Sequence, residues 1–182
     1  MKISKTMTLK DLALYVGSVL KLAGIDCVLT GGAVVSIYTD NSYLSHDLDF
    51  ITHSRTREID DALKQAGFYR DGRYFKHADT DFFLEFPSPP IAIGRKPITV
   101  FNEISKGKGY LKLLTPTHCV MDRLAAFYFW NDRQALSQAV LVGISHEINT
   151  DEIRLWSEQE GMLEKYGTFL DELHRVKKKK KK

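Results

Sequence analysis

Residues 44–51 read LSHDLDFI, and residues 29–33, shortly before them, read LTGGA. In a β-strand every second side chain leaves the same face, so Asp47 and Asp49 share one face while apolar residues enter the other. Two carboxylates this close repel each other unless a divalent cation lies between them, and oxygen ligands suit Mg²⁺ or Mn²⁺. The stretch predicts a metal site on a strand; a solvated strand face is the alternative interpretation.

The glycine pair predicts a phosphate site beside that metal site. Gly31 and Gly32 lie between a predicted buried strand, residues 25–30, and a predicted short helix, residues 32–39. Glycine lets backbone N–H groups approach a ligand closely, and the N-terminus of a helix favours an anion. A simple tight turn is the alternative.

These motifs also carry a resemblance. The run Thr30-Gly31-Gly32 followed by SHDLDF at residues 45–50 resembles the signature of the nucleotidyltransferase superfamily with the DNA polymerase β-like fold. The chain is most similar to the small abortive-infection and toxin–antitoxin-type nucleotidyltransferase-like proteins. The likeness covers about residues 25–140 at the level of motif order, and that order is more specific than a glycine pair alone.

The resemblance implies a third carboxylate from a later strand. Residues 81–87 read DFFLEFP and offer Glu85, with Asp81 as the rival. By this resemblance Asp47, Asp49 and Glu85 are the catalytic residues and the ligands of two Mg²⁺ or Mn²⁺ ions. A carboxylate in so apolar a strand is costly to bury unpaired, which favours a position facing a cation.

The resemblance further implies a nucleotide-binding set, which consists of Thr30, Gly31, Gly32, Ser45 and Arg123. Arg123 lies in residues 122–126, DRLAA, which resemble the family's helical basic motif; Lys112 is the other candidate for the positive charge. The chain departs from the family pattern at Gly32, where many members carry serine. It also departs at Tyr43, where related sequences often carry arginine.

The implied activity is transfer of a nucleoside monophosphate from an NTP, ATP among the candidates, to a hydroxyl group with release of pyrophosphate. The acceptor would belong to RNA, to a protein or to a small molecule. The alternative is a catalytically inactive nucleotide-binding or antitoxin-like regulatory module of the same fold. A cognate antitoxin or toxin is a possible protein partner.

The order of elements predicts an α+β fold, because strands dominate first and helices last. We expect a nucleotidyltransferase α/β core with a mixed sheet and flanking helices at 1–114, followed by a C-terminal helical segment packed on the core at 115–176. Asp71-Gly72 between aromatic residues predicts a hairpin. The C-terminal segment is predicted to break at Asn131, Gly143, Gly161 and Gly167.

Composition narrows the class of protein. The chain has 182 residues, of which 43% are hydrophobic, so it can bury a core. It contains no apolar run of membrane-spanning length and no signal-peptide core, so we expect a cytoplasmic protein without a membrane partner. Cys27 and Cys119 match neither a disulfide framework nor a zinc-ligand spacing. A thiol-nucleophile interpretation of His118-Cys119 lacks an evident carboxylate partner.

The terminal lysines dominate the net charge. The formal charge is +3, and residues 177–182 are six lysines, so removing them leaves −3. Like charges repel, which predicts a disordered lysine tail at 177–182. Such a tail is either a nucleic-acid contact or, as we favour, an addition to the natural sequence.

Overall fold

The computed structural model describes residues 3–180. The helices are α1 (Leu9–Leu22), α2 (Gly31–Tyr38), α3 (Thr56–Gln65), α4 (Pro116–Trp130), α5 (Arg133–Ser145), α6 (Thr150–Gln159) and α7 (Leu163–Lys180). The strands are β1 (Cys27–Thr30), β2 (Asp47–Thr52), β3 (Tyr69–Asp71), β4 (Tyr74–Lys76), β5 (Phe83–Glu85), β6 (Ala92–Ile93), β7 (Lys96–Pro97), β8 (Phe101–Lys106) and β9 (Gly109–Leu114).

A mixed seven-stranded sheet forms the centre, in the order β3-β4-β5-β2-β1-β9-β8. The two central strands, β1 and β2, are antiparallel to each other, and each has a parallel neighbour on its outer side, β9 and β5 respectively. This arrangement confirms the predicted α+β class. It also brings the strands that follow and precede the glycine turn to the middle of the sheet.

The first helix shows how the sequence builds the core. Its apolar stripe, Leu9, Leu12, Val16 and Leu20, is at most 1% exposed, as a helical spacing of three to four residues predicts. The Thr8 hydroxyl caps the helix by accepting a hydrogen bond from a backbone N–H of the first turn. The helix packs against β9 and β1, so it covers the face of the sheet opposite the two aspartates.

The helical segment breaks at two of the four predicted positions. Asn131 adopts a left-handed conformation after α4, and Gly161 separates α6 from α7. Gly143 and Gly167 lie inside α5 and α7, so the breaks predicted there are wrong. A single glycine costs a helix only about 1 kcal/mol. At Gly143 a Cβ atom would stand 3.1 Å from side-chain atoms of two packed residues, so the small residue serves close packing.

Two further features were not expected. A two-stranded hairpin, β6-β7, lies outside the main sheet. Helix α7 continues through Lys177–Lys180, where a disordered tail is predicted; the last two lysines lie outside the described residues. Lysine is a good helix former and its charge is favourable at the C-terminus of a helix, which explains the continuation. Within residues 3–180 no helix combines the length and the apolar character needed to cross a membrane.

Candidate active site

One row of side chains crosses four strands of the sheet. In the strand register Tyr74 lies beside Glu85, Glu85 beside Asp49, and Asp49 beside Thr30. Residues paired across neighbouring strands point to the same face, and Asp47 joins that face two residues before Asp49. Leu48 and Phe50, which point to the other face of β2, are fully buried. The structure therefore gathers the three predicted carboxylates on one face.

The glycine turn meets this row at Asp49. Gly31 has a φ of +71°, and a Cβ atom at this position would stand 2.5 Å from Oδ2 of Asp49. A side chain at residue 31 would therefore be strained and would also displace the carboxylate. The Thr30 hydroxyl does not cap α2, and it donates instead to the backbone carbonyl of Asp49 at 3.3 Å. The first turn of α2 therefore lies next to the carboxylate of Asp49, and the Thr30 side chain does not cap it.

Ser45 links the second glycine to Asp47. Its hydroxyl donates to Oδ1 of Asp47 at 2.5 Å, and a Cβ atom on Gly32 would stand 3.1 Å from the same hydroxyl oxygen. The N–H of Ser45 donates to the Ser36 hydroxyl at 2.9 Å, and that hydroxyl donates to the carbonyl of Gly32 at 3.3 Å. Ser36, which sequence reasoning missed, therefore ties the start of β2 to the start of α2.

Burial and charge act together on Asp49. The pKa of Asp49 is raised to about 7: burial is the largest cause, the neighbouring carboxylates Asp47 and Glu85 also raise it, and Arg123 acts in the opposite direction. Near neutral pH this carboxyl group is therefore protonated for a large share of the time. A bound cation would favour the charged form of Asp49.

The donor set suits Mg²⁺ or Mn²⁺ in chemistry, because it consists of carboxylates. Within the described part of the chain, however, no three His, Cys, Asp or Glu side chains are grouped closely enough to bind one ion. Asp47 is engaged by Ser45, and Oε1 of Glu85 lies 3.4 Å from Nε of Arg73. Asp81, the rival of Glu85, is exposed and lies before β5.

Arg73 is a second residue that sequence reasoning missed. It lies in the turn of the β3-β4 hairpin, which the Asp71-Gly72 pair correctly predicts. Its guanidinium donates to the Tyr74 hydroxyl at 2.6 Å and faces Glu85. No local pattern in the sequence identifies it, because only the pairing of β4 with β5 places the end of the hairpin beside the third carboxylate.

Of the two basic candidates, the structure places Arg123 near the carboxylates. Arg123 lies on α4 in electrostatic range of Asp49. It is held by Oδ2 of Asp122 at 2.5 Å and 3.0 Å, and by Oε1 of Gln138 at 3.4 Å. Lys112 instead pairs with Asp26 at 2.8 Å. Asp26 lies just before β1, so this pair lies at the end of that strand opposite to the glycines. Lys112 is thus wrong as a phosphate-site residue.

The two remaining sequence hypotheses concern α4. His118 does have a carboxylate partner, because its Nε2 lies 3.2 Å from Oε1 of Glu152. Cys119, however, is fully buried, and burial raises its pKa, so it is not a nucleophile that a substrate can reach. Four aromatic residues end α4. Phe127 and Tyr128 are core residues, whereas Phe129 and Trp130 are exposed.

Comparison with known proteins supports the fold. No family model matches the chain, and no curated protein is detectably similar to it in sequence. An antigenic nucleotidyltransferase-like protein from Paracoccidioides brasiliensis is 14% identical, with a TM-score of 0.55 over 77% of each chain. The antibiotic-resistance factor ANT(2'')-Ia is 11% identical, with a TM-score of 0.52 over 93% of this chain and 100% of that one. The chain therefore has the fold of nucleotidyltransferase-like proteins.

Proposed function

We propose that the protein is a metal-dependent nucleotidyltransferase, which transfers a nucleoside monophosphate from an NTP to a hydroxyl acceptor. The observation that carries the proposal is the contact between the two motifs: the carboxylate of Asp49, flanked by Asp47 and in register with Glu85, lies against the Gly31 backbone. A triphosphate held at the start of α2 would thus have its reacting phosphorus beside the carboxylates.

Each residue has a distinct part in this proposal. The N–H groups of Gly31 and Gly32 would donate to phosphate oxygens, as at other helix N-termini. Ser45 would supply the hydroxyl that Gly32 cannot, because its oxygen lies beside that glycine. Arg123 would offset phosphate charge from α4. Asp47 and Asp49 would hold Mg²⁺ or Mn²⁺, which supplies charge neutralisation for the triphosphate when bound.

The reaction itself needs a base. The acceptor oxygen would attack the α-phosphorus as the bond from that phosphorus to the oxygen bridging the β-phosphate breaks, and pyrophosphate would leave. The proton of the acceptor hydroxyl would pass to Glu85. Glu85 suits this part because it lies beside Asp49 and its carboxylate is 22% exposed, so an acceptor can reach it.

A labelled-nucleotide assay tests the proposal. The protein is incubated with each labelled NTP and Mg²⁺ or Mn²⁺, against total RNA, total protein and small hydroxyl compounds. We expect label transfer with pyrophosphate release, together with a rise in melting temperature on adding NTP and metal. Asp47→Asn combined with Asp49→Asn should remove both effects. An unchanged melting shift in that double variant would place the metal elsewhere.

A second candidate is the catalytically inactive nucleotide-binding or antitoxin-like module. Two observations favour it: Glu85 is engaged by Arg73 and Asp47 by Ser45, and no three His, Cys, Asp or Glu side chains of the described chain are grouped as in a metal site. This candidate predicts the NTP-dependent rise in melting temperature without label transfer to any acceptor. A toxin or antitoxin of the abortive-infection type would then be the expected partner.

A further inference from the structure

A polar cavity of about 190 Å³ opens beside Glu85, at the ends of β2 and β5 that lie away from Asp47. Its polar lining includes Arg70, Arg73, Ser54, Thr56, Ser88 and Glu85. With Thr52, which also lines it, the cavity combines two cationic side chains and four hydroxyl groups with the carboxylate that the proposed reaction uses as its base.

Arg70 is fixed in place but still has a free donor. Its Nη1 lies 3.1 Å from both carboxylate oxygens of Asp60, and its Nε donates to the carbonyl of Gly72 at 3.1 Å. The guanidinium also lies over the Phe75 ring, 5.4 Å from its centroid. Among residues 3–179 its Nη2 has no hydrogen-bond partner. An arginine held in this way suits recognition of an anion with several oxygens.

Arg73 donates to the Tyr74 hydroxyl at 2.6 Å, but its ion pair with Glu85 is loose. Its side chain is 70% exposed, and its Nε lies 3.4 Å from Oε1 of Glu85. A strong bond between guanidinium and carboxylate is about 2.7–2.9 Å long, and exposed ion pairs contribute little to stability. Arg73 can therefore exchange Glu85 for another anion at small cost.

We propose that this cavity binds the phosphate group of a small hydroxyl acceptor, and that Arg73 exchanges Glu85 for that phosphate. Once Arg73 turns to the phosphate, Glu85 is free to accept the proton of the acceptor hydroxyl. The base thus becomes available only when an acceptor is present, which limits wasteful hydrolysis of the NTP. The assignment of the bound anion as the acceptor rests on the proposed function; the binding of the anion does not.

Calorimetric titration with glycerol phosphate, without NTP or divalent metal, tests the cavity. We expect the wild-type protein to bind it and Arg73→Gln to bind it about tenfold or more weakly, the scale of a hydrogen bond to a charged group. Arg57→Gln is the matched control, because Arg57 is exposed on α3 and does not line the cavity. It should bind within about twofold of wild type. Equal binding by wild type and Arg73→Gln would overturn the proposal, as would tighter binding of ethanolamine than of glycerol phosphate.

A double-variant cycle tests the exchange. Glu85→Gln removes the competitor for Arg73, so the affinity for glycerol phosphate should rise by up to about fivefold, the scale of an exposed ion pair. In the Arg73→Gln background the same change should have no such effect. An equal gain in both backgrounds would overturn the exchange, as would no gain in either.

The two proposals fail separately. Loss of the NTP-dependent melting shift bears on the nucleotide site, whereas glycerol phosphate binding is measured without nucleotide. If binding depends on Arg73 but no NTP is used, the cavity is upheld and the transferase is rejected. If label transfer occurs but glycerol phosphate does not bind, or is no better an acceptor than glycerol, the transferase is upheld and the anionic acceptor is rejected.

Discussion

The carboxylate of Asp49 occupies the space that a side chain on Gly31 would need, since Oδ2 lies 2.5 Å from the Cβ position. Gly31→Ala should therefore combine a left-handed backbone penalty of about 1–2 kcal/mol with displacement of the carboxylate. We expect a lower melting temperature and the loss of the shift that metal and NTP produce. Thermal unfolding with and without these ligands measures both.

Gly107→Ala is the matched control for that change. Gly107 has a φ of +60° and no atom within 4 Å of its Cβ position, so it shares the backbone penalty without the collision. This variant should lose similar backbone stability and keep the ligand-induced shift. Should Gly31→Ala keep the full shift as well, the contact with Asp49 would have no functional importance.

The raised pKa of Asp49 predicts a pH dependence of stability. The folded protein holds this proton up to about pH 7, whereas the pKa of the same carboxyl in the unfolded chain is 3.8. The stabilisation is therefore complete below 3.8 and is lost as the pH rises to about 7. The unfolding free energy of the wild-type protein should fall more between about pH 5 and about pH 8 than that of Asp49→Asn. Denaturant unfolding at the two pH values measures the difference, and parallel profiles would contradict it.

Glu85 and Asp81 can be separated by matched amide variants. Glu85→Gln keeps the shape of the side chain and removes the proton acceptor, so turnover should fall by about 10²-fold or more while NTP affinity changes little. Asp81→Asn should leave turnover near the wild-type value, because Asp81 is exposed and lies before β5. Single-turnover kinetics with labelled NTP measure both, and the reverse ranking would transfer the role to Asp81.

The lysine segment should be dispensable for the nucleotide site. Lys177 lines a pocket with His146, and the Nε2 atom of His146 lies 2.7 Å from the carbonyl oxygen of Tyr38, at the C-terminal end of α2. The glycine turn lies at the other end of this helix, about 12 Å away. A chain ending at Val176 should lose most of its salt-sensitive nucleic-acid binding and retain metal-dependent NTP binding. Loss of NTP binding would mean that the lysines supply the charge assigned to Arg123.

Local patterns in the sequence were sufficient for much of this fold. The alternation on β2 and the Asp71-Gly72 hairpin depend on neighbours within a few residues, and the structure contains both. The order of motifs predicted a third carboxylate from a later strand, and the structure places Glu85 in register with Asp49 on the same face.

Contacts between distant segments could not be predicted in this way. Lys112 pairs with Asp26 across 86 residues, and Arg73 reaches Glu85 only because β4 lies against β5. Both pairings depend on strand order, which no local pattern specifies. Gly143 shows the same limit, since its close packing against Ile148 and Leu173 overrides the preference of a single residue.

The strand register has a consequence for folding errors. Leu84 is fully buried next to Glu85, so a slip of β5 by one residue would turn the carboxylate into the core and an apolar side chain towards the candidate site. Exposing Leu84 would cost the free energy of burying an apolar side chain, which is larger than the contribution of any bond that Glu85 makes. The hydrophobic effect therefore opposes such a slip. Misaligned molecules would therefore be unstable as well as lacking the arrangement of the candidate site.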